Sequence, residues 1–442
     1  MDIASNSPAP PVPADRSRRT YLREVSELLW PPPATVLLGG APHEITSPRR
    51  RTEALRRLRG DVANGNGSAS AAAGGLVSEF ILLPGGGRPR LIVPNAPRPA
   101  AAAVRRYGEP GSWTTWLAAR VLGVALASGL GGVVLRGRLR VQAPPGADTI
   151  ESYLSNALAR EIKVSLHLGA ARANRKPVLQ LLTPRGEPVG YAKVGVNPLT
   201  CSLVRAEEHA LGRLRLADLA CLTVPRVLHS GSWRGLDVLV LSALPVWLRR
   251  RRLTAMQLAT AMREVAQVGG LTKGPLAAAA YLERLRARLT AADESTERAA
   301  LLRALDAVAA RAGDTALAYG AWHGDWTPWN MASTGHGLLV WDWERFTEGV
   351  PLGFDALHYW LQTECVPGRR EPATAAASCV ECAARLLGPF GVAGAQARLT
   401  AILYLSDLAT RYLVDRQAQA GARRGSPGAW LIPAITGHVS RL

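Results

Sequence analysis

The spacing of apolar and polar residues first predicts a loosely organised N-terminal region. Residues 1–20 are rich in Pro, Ser and Ala, which predicts a disordered tail, and 61–75 (DVANGNGSASAAAGG) has the composition of a flexible linker. The segment FILLPGGGRPRLIVP at 80–94 predicts a hairpin, and helical patterns follow over about 98–128. We therefore predict an N-terminal α/β region over 21–150, whose role the sequence does not reveal.

From about residue 160 the pattern changes to short apolar strands separated by turns. Three strands come first, a helix follows them, and two more strands complete the series: KVSLHLG, PVLQLLT and PVGYAKVGV, then VPRVLHSGSW and GLDVLVLSALP. In the intervening helix, Leu203, Glu207, Leu211 and Leu214 follow one another at spacings of four, four and three, which places them on one helical face. Five strands with a helix after the third is the order of a protein kinase N-terminal lobe.

The remainder of the chain, from about residue 253, is mostly helical in pattern. Helices are predicted near 372–387, 396–417 and 427–440, and the helical pattern is interrupted at 319–346. A strand-rich segment followed by a helix-rich one predicts an α+β fold.

Charge adds a constraint on partners. The chain of 442 residues has a formal net charge of +19, carried almost wholly by arginine, because its lysines are four: Lys163, Lys176, Lys193 and Lys273. A basic surface attracts phosphates, nucleic acid or anionic lipid. RNA recognition would normally add stacking aromatic residues in a known module. The sequence has no such module, so we expect no nucleic-acid partner.

Cysteine usage and apolar runs bear on location. Five scattered cysteines argue against a disulfide framework and for a reducing compartment, and the first twenty residues lack the apolar core of a signal peptide, so we expect a cytoplasmic protein. The longest apolar run, 121–135, is shorter than the roughly 20 residues needed to span a bilayer. A buried helix and turn is the favoured interpretation, and peripheral membrane contact is the alternative.

The segment AWHGDWTPWN at 321–330 carries the candidate chemistry. Phosphoryl transfer from ATP needs a group that orients the attacking hydroxyl, a divalent metal and a cation on the other phosphates. Asp325 could orient the hydroxyl and accept its proton. Asn330, five residues later, and Asp342, after the short strand GLLVW, offer the hard oxygen ligands that magnesium prefers.

These residues resemble a known family. His323, Gly324, Asp325 and Asn330, with WDWE at 341–344, are similar to the HGDxxxxN and DWE signatures of the aminoglycoside phosphotransferase and choline kinase family. The resemblance covers about 160–420. It implies a two-lobed, protein-kinase-like fold with a five-stranded antiparallel N-lobe over 160–245 and a mainly helical C-lobe over 246–442. It also implies that Asp325 is the catalytic base, that His323 braces the loop, and that Asn330 and Asp342 bind Mg²⁺.

A nucleotide site should then lie upstream. Lys193, in the third strand, is placed where kinases hold a lysine on the α- and β-phosphates of ATP, and Glu207 is its expected helix partner. Main-chain groups near Ser242 and Leu244 are expected to contact the adenine. The phosphate-covering loop LGAARANRKP offers only Gly169 in place of GxGxxG, which leaves its phosphate contacts open.

The predicted function is ATP-dependent transfer of the γ-phosphoryl group to a hydroxyl of a small molecule, such as a sugar or amino alcohol. The scarcity of carboxylates in the C-terminal helices favours a neutral or anionic acceptor over a polycation, and Trp329 is a candidate wall of its pocket. Asp355, in GFDALHYW, is expected to be structural. A protein kinase is disfavoured because HRD, DFG and APE are absent. The alternative is a nucleotide-binding pseudokinase or scaffold that acts through its N-terminal region.

Overall fold

A computed structural model of the protein describes residues 14–39, 76–84, 89–105, 113–129, 135–365, 369–420 and 426–442. The chain forms two compact units. The first takes in the residues up to Leu168 together with Val178–Val189, and the second takes in Gly169–Pro177 and Gly190–Leu442. The predicted linker at 61–75 lies outside the described residues.

The described residues of the first unit form four helices and a sheet. Its helices are α1 (Ala14–Leu29), α2 (Pro97–Arg105), α3 (Trp113–Ala127) and α4 (Ile150–Ala157). Its strands are β1 (Thr35–Gly39), β2 (Leu76–Leu83), β3 (Leu91–Pro94), β4 (Arg138–Ala143), β5 (Lys163–His167) and β6 (Val178–Leu182). They follow the order β1-β4-β2-β3-β5-β6, and each neighbouring pair is antiparallel.

The core of this unit is formed by the apolar faces of its strands and helices. Ile81, Leu83 and Val93 of the β2–β3 hairpin pack with Ala100 and Val104 of α2. Small side chains on α2 let the helix lie close to the sheet, since alanine adds little bulk. The hairpin predicted at 80–94 is confirmed, with Phe80 opposite Pro94 in its register.

Helix α1 has a buried apolar face. Leu22, Val25 and Leu29 are buried, at spacings of three and four that place them on one face of the helix. Next to it, Trp30 packs on Phe80 with ring centroids 5.1 Å apart. Residues 14–20 lie in the first turns of α1, and 1–13 lie outside the described residues. The disordered tail over 1–20 stays a prediction.

The described strands of the second unit form three small groups of hydrogen-bonded strands. The strands themselves are β7 (Pro188–Gly195, which begins in the first unit), β8 (Leu222–Thr223), β9 (Val227–Trp233), β10 (Leu236–Ser242), β11 (Thr272–Pro275), β12 (Ala316–Trp322), β13 (Met331–Thr334), β14 (Gly337–Val340) and β15 (Thr347–Pro351). Strand β10 pairs antiparallel with both β7 and β9. Strand β12 pairs antiparallel with β11 and β15, whereas β14 pairs antiparallel with β13 and parallel with β8.

The described part of the second unit contains more residues in helices than in strands. The helices are α5 (Pro198–Leu216), α6 (Ala255–Ala266), α7 (Ala280–Thr290), α8 (Thr296–Ala312), α9 (Phe354–Glu364), α10 (Pro372–Glu381), α11 (Ala383–Leu387), α12 (Gly394–Val414) and α13 (Leu431–Val439). Helix α12 is buried over most of its length, from Ala397 to Thr410, and its apolar side chains join one large core with those of α7, α8 and α9.

Element types agree well with the sequence pattern. The prediction of a mixed α+β fold is confirmed, and strands occur at all five predicted segments between 160 and 245, as β5, β6, β7, β9 and β10. The three C-terminal helical segments contain α10 with α11, α12 and α13. The lobe boundaries at 160, 245 and 246 remain predictions.

Among the helices that the structure describes, none alone is both long and apolar enough to cross a bilayer. One pair, Ala383–Phe390 with Gly394–Val414, reaches that length and apolarity only when the two helices are taken together, and they are bent by 102° at the break between them.

Candidate active site

The second unit brings Lys193, Glu207 and Asp342 together. The Nζ atom of Lys193 lies 2.7 and 2.5 Å from the two carboxylate oxygens of Glu207 and 2.6 Å from Oδ1 of Asp342. Burial alone would lower the pKa of Lys193, but the charges of Asp342 and Glu207 raise it above its ordinary value. The lysine is therefore a permanent ammonium group held between two carboxylates.

Helix α5 sets the position of Glu207. Its N-terminus is closed by a capping box, in which Asn197 accepts from the backbone N–H of Thr200 and Thr200 accepts from that of Asn197. The predicted stripe is buried along its length, and Glu207 has an exposed fraction of 0%. A fully buried carboxylate requires partners, which here are Lys193 and the backbone N–H of Trp343 at 3.2 Å.

Asp342 follows β14 and adopts an unusual backbone conformation. Its φ is +72°, in the left-handed region that non-glycine residues seldom enter. Burial acts to raise its pKa, but Lys193 and Lys176 hold the pKa of this carboxyl well below its usual range. The side chain is 31% exposed, so an ionised oxygen beside a cation remains accessible from solvent.

A further charged pair lies beside these three residues, and sequence reasoning missed it. Lys176 forms an ion pair with Glu344, which also accepts a hydrogen bond from Nδ2 of Asn174 at 3.2 Å. Both donors belong to Gly169–Pro177, the segment predicted to cover phosphates. The available signal was composition, because Lys176 is one of four lysines and lies in that loop.

The oxygens near Asp342 suit a hard divalent cation. Within the described part of the chain, carboxylate oxygens of Glu207, Asp342 and Glu344 lie within 4.8 Å of one another. Magnesium binds through few protein oxygens and keeps other positions for water and phosphate. The donor set therefore fits Mg²⁺, with Asp342 as the accessible carboxylate, since Glu207 and Glu344 are buried.

The loop between β12 and β13 holds Asp325 and Asn330 together. The amide Nδ2 of Asn330 donates to the carbonyl of Asp325 at 2.9 Å and to its Oδ2 at 3.0 Å. The carbonyl of Asn330 accepts from the backbone N–H of Trp341 at 3.1 Å. Because β13 and β14 pair Met331 with Val340, Asn330 and Asp342 lie at the same end of this hairpin.

His323 contacts two parts of the backbone around this loop, and its role in bracing the loop stays a prediction. Its Nδ1 accepts from the backbone N–H of Asp325 at 3.1 Å, and its Nε2 lies 3.0 Å from the carbonyl of Trp341. This arrangement requires the proton on Nε2. Burial lowers the pKa of His323 to about 4, so the ring is neutral at physiological pH.

Asp355 clamps the same loop from α9. Its Oδ2 accepts from the backbone N–H of His323 at 2.8 Å, and its Oδ1 accepts from that of Gly324 at 3.2 Å. Burial raises the pKa of Asp355 to about 7, although the two N–H donors act in the opposite direction.

Gly324 meets a steric requirement at this clamp. Its φ is +83°, and a Cβ at this position would collide with the backbone oxygen of Arg345. Its own carbonyl accepts from Nη1 of Arg411 at 2.6 Å. A glycine is therefore needed between His323 and Asp325 if the loop is to keep this shape.

His358 is a second residue that the sequence interpretation missed. Its Nε2 lies 3.1 Å from Oδ1 of Asp325, and its Nδ1 lies 3.1 Å from the hydroxyl of Tyr404. Burial tends to raise the pKa of Asp325, but the hydrogen bond from His358 brings it below the ordinary value. His358 lies one turn after Asp355 on α9, which was a signal that both side chains face the catalytic loop.

The remaining predicted contacts are less defined by the geometry. The backbone N–H of Ser242 donates to Arg226 and the carbonyl of Leu244 accepts from Val246, each at 2.8 Å. A Cβ at Gly169 would have no neighbour within 4 Å, so packing does not require glycine there. Trp329 is 42% exposed, whereas Trp326 is fully buried. Nucleotide contacts by Ser242, Leu244 and Gly169 remain predictions.

Comparison with known proteins gave structural likenesses only. No family model matches the chain, and no curated protein matches it. A choline kinase from Streptococcus pneumoniae is 14% identical, with a TM-score of 0.42 over 66% of this chain and 99% of its own. A thermostable mutant of aminoglycoside phosphotransferase is 16% identical, with a TM-score of 0.43 over 66% and 98%. A choline/ethanolamine kinase family protein from Mesorhizobium loti is 14% identical, with a TM-score of 0.34 over 62% and 91%.

All three belong to the kinase-like phosphotransferase family. The motifs HGDWTPWN and WDWE resemble that same family. At TM-scores below 0.5, the residues of the site, rather than these likenesses, must support a function.

Proposed function

We propose that the protein is an ATP-dependent phosphotransferase that moves the γ-phosphoryl group to a hydroxyl of a small molecule. The observation that carries this proposal is the meeting of Lys193, Glu207 and Asp342, which places one ammonium group beside an accessible metal-binding carboxylate. Asp325 and Asn330 lie in the loop that leads into the β13–β14 hairpin, and Asp342 follows that hairpin. The five strands β5, β6, β7, β9 and β10 would be those of the kinase-like N-lobe.

The phosphates of ATP would be held by cations from two directions. Lys193 would bind the α- and β-phosphates, with Glu207 fixing its direction. Lys176 would supply the contact that a glycine-rich loop provides elsewhere, because it lies in the corresponding segment and its charge acts on Asp342. Mg²⁺, held by Asp342 and Asn330, would neutralise the phosphate oxygens.

Asp325 would orient the acceptor. The acceptor oxygen attacks the γ-phosphorus, and the bond between the γ-phosphorus and the bridging oxygen that leaves with ADP breaks. The hydroxyl proton passes to the Asp325 carboxylate. This carboxylate is 33% exposed and is held by Asn330 on Oδ2 and by His358 on Oδ1. Fixed partners on both oxygens keep the base in one orientation, and positioning of this kind supplies much of the rate in phosphoryl transfer.

The acceptor would be neutral or anionic. Acidic side chains of the C-terminal helices already have partners: Glu364 binds Arg369 and Arg370, Asp407 binds Arg288, and Asp415 binds Arg345. Glu371 accepts two backbone N–H groups at the start of α10. Few carboxylates remain to attract a polycation, which agrees with the expectation from composition.

The decisive experiment compares wild type with Asp325→Asn. Release of ADP is measured with Mg²⁺ and ATP, alone and with a panel of polyols, sugars and amino alcohols, and ATP binding is measured by calorimetry. We expect acceptor-dependent turnover to fall at least about 10²-fold in the variant while ATP binding is kept. Full activity in the variant would refute the assignment. A wild-type protein that binds ATP but transfers nothing would favour the pseudokinase.

A further inference from the structure

The second unit contains a cavity of about 310 Å³ whose wall carries four arginines. Arg284 and Arg288 come from α7, Arg411 comes from α12, and Arg345 follows the WDWE segment. The proposed catalytic and nucleotide-binding residues Lys193, Asp325, Asn330 and Asp342 are not among the wall residues. The cavity shares only Glu344 with the charged group around Asp342.

The positive charge on this wall exceeds the negative charge that neutralises it. Arg288 binds Asp407 at 3.3 Å, and Arg345 binds Asp415. The other acidic wall residue, Glu344, is neutralised by Lys176.

Arg284 and Arg411 bind backbone oxygens instead. Arg284 donates to the carbonyl of Gly349 at 2.8 Å, and Arg411 donates to that of Gly324. Among the residues that the structure describes, no carboxylate lies within ion-pair distance of either guanidinium. Arg284 and Arg411 are therefore uncompensated by any direct ion pair, although the charges of Asp407 and Asp325 act on Arg411, and both arginines face one cavity.

A neutral donor in the same wall also lacks a partner. Trp322 ends β12 and is 3% exposed, yet its indole Nε1 finds no acceptor within the described ranges. Buried donors without partners are uncommon, and each calls for an explanation such as an unseen ligand. The guanidinium of Arg411 lies 5.1 Å from the centroid of the Trp322 ring, so this donor and one uncompensated cation are neighbours.

We propose that this cavity binds the phosphate group of a small molecule. A phosphate monoester carries between one and a half and two negative charges near pH 7, which matches the two uncompensated arginines. Its oxygens are acceptors that suit both the planar guanidinium groups and the indole N–H. Burial and the nearby Arg345 lower the pKa of Arg411, and a bound anion would offset that repulsion.

Binding of inorganic phosphate to the full-length protein tests the site. Calorimetry compares wild type with Arg284→Gln, which removes an uncompensated charge, and with Trp322→Phe, which removes the indole donor. Arg286→Gln is the matched control, because Arg286 lies on the same helix but binds Asp306 and does not line the cavity. Lys193→Met tests whether phosphate binds at the nucleotide site instead.

We expect Arg284→Gln to weaken phosphate binding roughly tenfold or more, and Trp322→Phe to weaken it severalfold. Arg286→Gln and Lys193→Met should bind as wild type does. Equal affinity in wild type and Arg284→Gln would overturn the proposal. Loss of binding in Lys193→Met, with Arg284→Gln unaffected, would overturn it as well.

A second titration identifies the source of the phosphate. Glycerol 3-phosphate is compared with inorganic phosphate on the same variants. Tighter binding of the ester, weakened by Arg284→Gln, would show that the site takes a phosphorylated metabolite, and binding of inorganic phosphate alone would show a site for the free ion. If neither binds in an Arg284-dependent way, the cavity is not a phosphate site, whatever the result for Asp325→Asn.

Discussion

The Nζ atom of Lys193 lies 2.6 Å from Oδ1 of Asp342, although 149 positions separate the two residues along the chain. The contact joins β7 to the turn after β14. It concentrates opposite charges where the phosphates and the metal would meet, and it makes the ammonium group the element of the site that is easiest to test.

Replacing Lys193 with Met should abolish most of the activity. The loss of a cation beside the phosphates should lower kcat by about 10²-fold or more and raise KM for ATP. Steady-state kinetics with saturating acceptor measures both constants. Lys273→Met is the control, because Lys273 is an exposed residue of β11. Equal kinetics in the two variants would contradict the role of Lys193.

Replacing Glu344 with Gln should weaken ATP binding rather than chemistry. The change removes the charge that holds Lys176 in the phosphate-covering segment, and KM for ATP should rise roughly tenfold with a smaller change in kcat. Glu348→Gln, which alters an exposed pair with Arg213, should leave both constants unchanged. A fall in kcat alone would mean that Lys176 does not act on the nucleotide.

Replacing His358 with Phe should lower kcat by about tenfold and leave KM for ATP unchanged, because the variant releases one oxygen of Asp325. His358→Gln retains a donor and should recover most of the rate. The comparison of the two variants separates the orientation of Asp325 by His358 from the packing of His358 in the core. If both variants lose activity equally, His358 acts through packing and does not orient Asp325.

Chelation of divalent metal should stop turnover without unfolding the protein. Each carboxylate of the cluster around Asp342 forms an ion pair with Lys193 or Lys176, so we expect the cluster to be stable without a metal ion. We expect the melting temperature to be the same with EDTA as with Mg²⁺ in the absence of nucleotide, and activity to return on adding Mg²⁺. A large stabilisation by Mg²⁺ alone would indicate a structural metal site.

Asp355 should give stability an acidic optimum. Its pKa is raised from 3.8 to about 7 in the folded protein, so the native state binds a proton more tightly than the unfolded state does. The contribution of this group is fully present below pH 4 and is lost as pH rises to 7, by up to roughly 4 kcal/mol. Urea denaturation at several pH values in this range should show that the free energy of unfolding declines less in Asp355→Asn than in wild type. If the two proteins decline equally, groups other than Asp355 cause the loss of stability.

The sequence predicted the parts of the structure that depend on local pattern. The stripe that includes Glu207, the strand that includes Lys193 and the short strand before Asp342 follow from periodicity and from the motif. The site is predictable to this extent because kinase-like chemistry restricts both the residue types and their spacing.

The pairing of strands and side chains that are distant in the chain could not be predicted from local sequence pattern. Strand β4 lies between β1 and β2, and no local signal sets the register that places Leu38 opposite Leu139. The partners of Asp325 and Glu344 were missed for the same reason. His358 and Lys176 reach the site from a helix and a loop whose orientation only tertiary packing determines.

The close approach at Gly324 has a consequence for redesign of the protein. Every substitution at this position must displace the backbone after Asp342, and the same movement would disturb the loop that presents Asp325. Libraries that seek a new acceptor should therefore keep position 324 invariant and diversify the solvent-facing Trp329 instead, where a change of shape need not propagate into the catalytic apparatus.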